Sequence, residues 1–125
     1  MPSNPQALYL LGALIMSIVG VRSGYAADVK RGALLYQTCA ACHSPLIEDS
    51  LGPNLRGVVG RKAGSLAKFS YSEAMRSSGL VWDGATLRAF VRKPQAKVPG
   101  TTMAFPGYQE AADADDLVTY LESLK

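Results

Sequence analysis

The run Cys39-Ala40-Ala41-Cys42-His43 constrains this chain more than any other stretch. Two thiols at this spacing can add to the two vinyl groups of one haem. A histidine directly after the second thiol is then placed to bind the iron from one face. Other chemistries use parts of the same run. A structural zinc site needs four ligands, and the whole chain offers two cysteines and one histidine. A thioredoxin-like dithiol shares the C-x-x-C spacing but follows a strand, and nothing strand-like precedes Cys39. A plain disulfide between Cys39 and Cys42 closes a trivially short loop and gains little. Haem attachment uses both cysteines and the chain's one histidine.

Haem iron in a protein that only moves electrons takes a second axial ligand. No second histidine exists, so the soft alternative is a methionine thioether. Met1 and Met16 lie in an apolar leader. Met75 sits in a helix-like stretch, Tyr71-Ser72-Glu73-Ala74-Met75-Arg76, where a core or rim position suits it. Met103 lies within residues 98–107, whose prolines and glycines forbid a regular helix. A lone loop methionine ordinarily just fills a gap. Beside a haem motif lacking a second histidine, Met103 becomes the candidate ligand.

Residues 7–21, ALYLLGALIMSIVGV, form an uncharged apolar run, and Gly24-Tyr25-Ala26 follows with small residues at its first and third places. That order is expected of a secretory signal cleaved after Ala26, leaving residues 27–125 as one domain. No Lys or Arg precedes the run. The alternative is a retained membrane anchor, although the run is shorter than the ~20 residues of a spanning helix. Export to an oxidising periplasm accords with the cysteines. The 27–125 segment carries 12 basic and 10 acidic residues, net +2, which two haem propionates would roughly cancel. No basic helix face stands out, which argues against nucleic-acid binding.

Residues 28–40 read as a first helix capped by Asp28, with Gly32 as a site of close approach by another helix. Residues 44–66 are loop-rich, punctuated by Pro45, Gly52, Pro53, Gly57, Gly60 and Gly64. A haem gives such a segment a flat apolar surface to wrap. A short helix is expected over 70–77, and another over 85–92, capped by Asp83 and ended by Pro94. A last helix is expected over 113–124. Leu117, Tyr120, Leu121 and Leu124 form one apolar stripe on it, to be met by the first helix. Asp113, Asp115 and Asp116 are placed in its first turn, favourable to the helix dipole. The class is all-α.

These pieces together resemble class I cytochrome c, the mitochondrial proteins and their bacterial periplasmic relatives. The resemblance rests on the haem motif followed, in order, by Leu51-Gly52-Pro53-Asn54-Leu55-Arg56-Gly57, Gly60-Arg61-Lys62-Ala63-Gly64, Phe69-Ser70-Tyr71-Ser72, Gly79-Leu80-Val81-Trp82, Pro99-Gly100-Thr101-Thr102-Met103 and Leu117-Val118-Thr119-Tyr120-Leu121. It implies a few short helices wrapped around one covalent haem c, held by Cys39 and Cys42 and ligated by His43 and Met103. It implies that the Pro53 carbonyl accepts the other imidazole N–H of His43. It also implies that Tyr71 and Trp82 donate to a buried propionate, with Arg61 nearby. Thr101 is placed to stabilise the ligand loop, and Gly32 and Tyr36 to meet Leu117 and Tyr120. Phe90 stands where many members carry a tyrosine. Gln95, Ala96 and Thr102 stand where lysines are common, which thins the positive ring, although Lys93 and Lys97 remain.

The function implied is that of a soluble periplasmic carrier in a respiratory chain, shuttling one electron between larger redox proteins. The donor would be a quinol:cytochrome c reductase or a dehydrogenase, and the acceptor a terminal oxidase or reductase. The chain would be a monomer that meets membranes only through those complexes, and no enzyme. Two rival readings are a haem enzyme or sensor whose Met103 is displaced by peroxide or a small gas, and a carrier tethered by residues 7–21.

Overall fold

The computed structural model describes residues 24–44 and 49–125. The apolar run 7–21 and the stretch 45–48, with Pro45, lie outside the described residues. The described residues form five helices in order: α1 Val29–Ala40, α2 Glu73–Arg76, α3 Gly84–Arg92, α4 Pro94–Lys97 and α5 Ala111–Ser123. Among the described residues no helix is long and apolar enough to cross a membrane.

Side-chain caps start three of the helices. Asp28 accepts from the backbone N–H groups of Lys30 and Arg31, Ser72 from Met75, and Asp83 from Thr86. Each satisfies donors that the first helical turn leaves without partners. Pro94 ends α3 as expected. It also opens α4, because a proline at the first helical position gives up only an N–H that would lack a partner anyway. That short helix was not expected from the sequence.

The terminal helices cross at Gly32. A Cβ built there would stand 2.0 Å from the Asp116 carbonyl oxygen and 2.8 Å from the Tyr120 Cβ. Beyond the crossing the rings of Tyr36 and Tyr120 tilt together at 5.2 Å. α3 also packs on α5, with Leu87, Phe90 and Val91 joining Leu117, Val118 and Leu121 in one buried core. Arg88 Nε donates to Asp115 at 2.8 Å on the rim of that contact.

α5 begins two residues before the expected start, so only Asp113 lies in its first turn. Asp116 is fully buried and is not a dipole partner. Its carboxylate accepts from the Asp28 N–H at 2.7 Å, the Tyr25 hydroxyl at 2.6 Å and Arg31 at 2.6 Å. Arg31 also pairs with Asp113. Burial pushes the Asp116 carboxyl up, yet these donors outweigh it and leave the group below the usual carboxylate range. Tyr25, assigned by sequence to the leader, is therefore in contact with the domain.

Among the described residues the only ladder is an isolated antiparallel bridge between Lys62 and Val81. Around it Gly60 N–H donates to Trp82, Ala63 N–H to Leu80, and Trp82 N–H to Arg61. These bonds hold Arg61 and Trp82 on facing segments.

Candidate haem site

The haem-motif residues form a tight turn running on from α1. The N–H groups of Cys42 and His43 both donate to the Cys39 carbonyl, at 3.0 and 2.8 Å. The Tyr36 hydroxyl donates to the His43 carbonyl at 3.1 Å and ties the turn to the helix. Both cysteines are free thiols, Cys42 exposed and Cys39 partly buried. Burial pushes the Cys39 thiol up to about 11, and the nearby Tyr108 hydroxyl partly offsets this. Tyr108 donates to the Leu35 carbonyl of α1 at 3.1 Å and stacks edge-on against Phe105 at 4.9 Å.

His43 Nδ1 lies 2.7 Å from the Pro53 carbonyl oxygen. A carbonyl can only accept, so the proton sits on Nδ1 and the lone pair on Nε2. Burial lowers the His43 pKa, and the Pro53 bond opposes it, so the ring is held neutral. Neutral imidazole with Nε2 as acceptor is the form that binds a metal ion. Gly52 makes the approach possible, because a Cβ there would stand 2.6 Å from the His43 ring. The segment is pinned by Gly52 N–H donating to the Cys42 carbonyl at 2.8 Å.

A mainly apolar cavity of about 360 Å³ opens beside this histidine. All eight residues singled out by sequence line it: Cys39, Cys42, His43, Pro53, Arg61, Tyr71, Trp82 and Met103. Met75 and Phe90 line it as well. Arg61 is braced by the carbonyls of Asn54 at 2.7 Å and Arg56 at 2.5 Å. Burial raises the Tyr71 hydroxyl pKa, so it stays a donor over the working pH range. Trp82 is buried with its ring tilted against Phe90 at 4.9 Å. The Met103 N–H donates to the buried Thr101 hydroxyl at 3.3 Å, which holds the loop that Thr101 was expected to support.

Sequence reasoning missed the α3 and α5 residues that close the cavity, chiefly Leu87, Val91, Leu117 and Leu121. It put Leu117 and Leu121 on a stripe facing the first helix and gave Leu87 and Val91 no role, because helical spacing cannot say which turn of an apolar face meets a cofactor. It also read Gly52 as a loop breaker only. A glycine directly before Pro53 was the available signal.

The cavity fits a haem. Its walls are apolar, two free thiols and a neutral imidazole meet at one end, and a glycine leaves the imidazole uncrowded. A cytochrome c family model matches residues 29–125. The chain belongs to the cytochrome c family. It is 45% identical to cytochrome c2 of Rhodoblastus acidophilus over 102 residues, covering 80% of this chain and 95% of that protein. Cytochrome c of Arabidopsis thaliana is 42% identical over 98 residues, covering 76% and 88%. Among solved structures, cytochrome cH from Methylobacterium extorquens superposes with a TM-score of 0.74 at 40% identity, covering 78% of this chain and 99% of that one. The all-α class and the cytochrome c fold expected from the sequence are thereby established. The family carries one covalently bound haem c, acts in electron transfer and is not enzymatic.

Proposed function

We propose that this cytochrome c is an exported, periplasmic one-electron carrier whose haem iron is ligated by His43 and Met103. The observation that carries the reading is the meeting of a neutral, Nδ1-protonated His43, two free cysteines and Met103 on one apolar cavity. Haem c supplies a reversible one-electron change at its iron, tuned by axial ligand and burial. Cys39 and Cys42 hold it through thioether bonds. Pro53 fixes the His43 ring and raises its basicity. Arg61, Tyr71 and Trp82 gather cationic and donor groups that offset the cost of a buried propionate. The apolar walls from α3 and α5 keep water away from the ring. With His43 and Met103 both serving as ligands, the chain has no substrate of its own.

The partners on this reading are larger redox proteins: a quinol:cytochrome c reductase or a dehydrogenase as donor, and a terminal oxidase or reductase as acceptor. The chain works as a monomer, with residues 1–26 removed on export. The test is acid-acetone extraction followed by redox titration. Haem that stays with the protein and titrates as a single one-electron, low-spin couple is expected. Extractable haem would contradict the assignment of Cys39 and Cys42.

A further inference from the structure

Gln95 stands on α4, exposed, directly after Pro94. Its carboxamide reaches across to the loop that leads to Met103. Nε2 donates to the Thr101 carbonyl at 2.7 Å, and Oε1 accepts from the Gly100 N–H at 3.3 Å. Thr101 is buried, its own N–H donates to the Val98 carbonyl, and its hydroxyl receives the Met103 N–H. One side chain therefore grips two consecutive residues, and the second of them holds the Met103 backbone. The segment that follows Pro99 and Gly100 has no helix or ladder bonds of its own, so these few contacts help set where residue 103 sits.

The chemistry of the grip selects the side chain. A primary amide is the one neutral group of this length carrying a donor and an acceptor together. Lysine donates but cannot accept. Glutamate accepts but cannot donate when ionised.

We propose that Gln95 is a positioning residue for Met103, clamping the Gly100–Thr101 backbone so that the thioether is held at the haem. The inference rests on the reading of Met103 as the axial ligand. Its consequence is that the clamp sets how readily an external ligand displaces the thioether.

The experiment uses the ferric holoprotein and imidazole as the competing ligand. Two signals are followed, the near-infrared thioether-to-iron charge-transfer band and the imidazole affinity. Gln95→Met keeps length and removes both bonds. The loss of two neutral hydrogen bonds should tighten imidazole binding by about fivefold or more. Gln95→Glu and Gln95→Lys, each keeping one bond, should fall between Gln95→Met and the unaltered protein. An imidazole affinity changed by less than about fivefold in Gln95→Met overturns the proposal. So does a lowered melting temperature with affinity unchanged, which marks a merely structural contact. Failure of the ligand assignment itself is distinguishable. In that case the unaltered protein lacks the charge-transfer band, or Met103→Ala retains it.

Discussion

Gly32 lies so close to Asp116 that a Cβ would stand 2.0 Å from its carbonyl oxygen. The contact is with helix backbone, which cannot swing aside. Gly32→Ala must therefore push α1 and α5 apart and loosen the Tyr36–Tyr120 packing that follows the crossing. Overpacking of this kind costs about 3 kcal/mol. Denaturant unfolding of the holoprotein should show that loss in midpoint. A midpoint equal to that of the unaltered protein would mean the crossing tolerates a methyl group.

Asp116 gives the same crossing a pH dependence. Its folded pKa is depressed, so its contribution to stability is present above the unfolded value of about 3.9 and disappears as pH falls through the lower folded value. Asp116→Asn removes the charge. The stability gap between the two proteins should be widest near neutral pH and should close under strongly acid conditions. A gap independent of pH would mean that the Arg31 and Asp28 contacts do not depend on the charge. The Tyr25 bond to Asp116 is lost if the leader is removed after Ala26, whereas those from Asp28 and Arg31 remain.

Gly52 is held against His43 with 2.6 Å between the ring and any added Cβ. Gly52→Val should displace the imidazole from its bond to Pro53. The expected result is a lower yield of low-spin holoprotein, read from the visible spectrum of the ferric and ferrous forms. A normal spectrum and yield would show that the loop yields instead of the ring.

How much of this was legible in the sequence depends on the range of each interaction. The haem run, the Asp28 and Asp83 caps and the Leu117–Leu121 stripe are local patterns, and each was read directly. Gly32 as a close-approach site was legible because an interior helix glycine needs a packing reason. Asp116 was misread because a carboxylate near a helix start ordinarily serves the dipole. Its burial depends on Asp28 and Arg31, more than 80 residues away in sequence. Gln95 was read as a missing positive charge, since nothing local shows that its amide reaches Gly100 and Thr101. Met75 and Met103 both line the cavity, so choosing between them rests on loop character and family order.

Partner docking follows from surface chemistry. Ala104 and Pro106 are exposed and Phe105 is partly so, and Thr102, Ala104, Phe105 and the exposed Cys42 line the same cavity. Leu51, 80% exposed, adds apolar area at the cavity mouth. With a net charge of +2 over residues 27–125, long-range steering is weak, and exposed charges are screened beyond ~8 Å at physiological ionic strength. Electron-transfer rates to a purified terminal oxidase or reductase should vary little across a salt series. A fall of more than about tenfold between low and moderate salt would reveal a steering field.

The most direct test of the central claim compares Met103→Ala with Met75→Ala by optical spectrum and reduction potential. Thioether ligation raises the potential. Met103→Ala should give a high-spin or water-ligated ferric haem with a lowered potential, while Met75→Ala keeps a low-spin spectrum and nearly the original potential. An unchanged Met103→Ala beside an altered Met75→Ala would contradict the account.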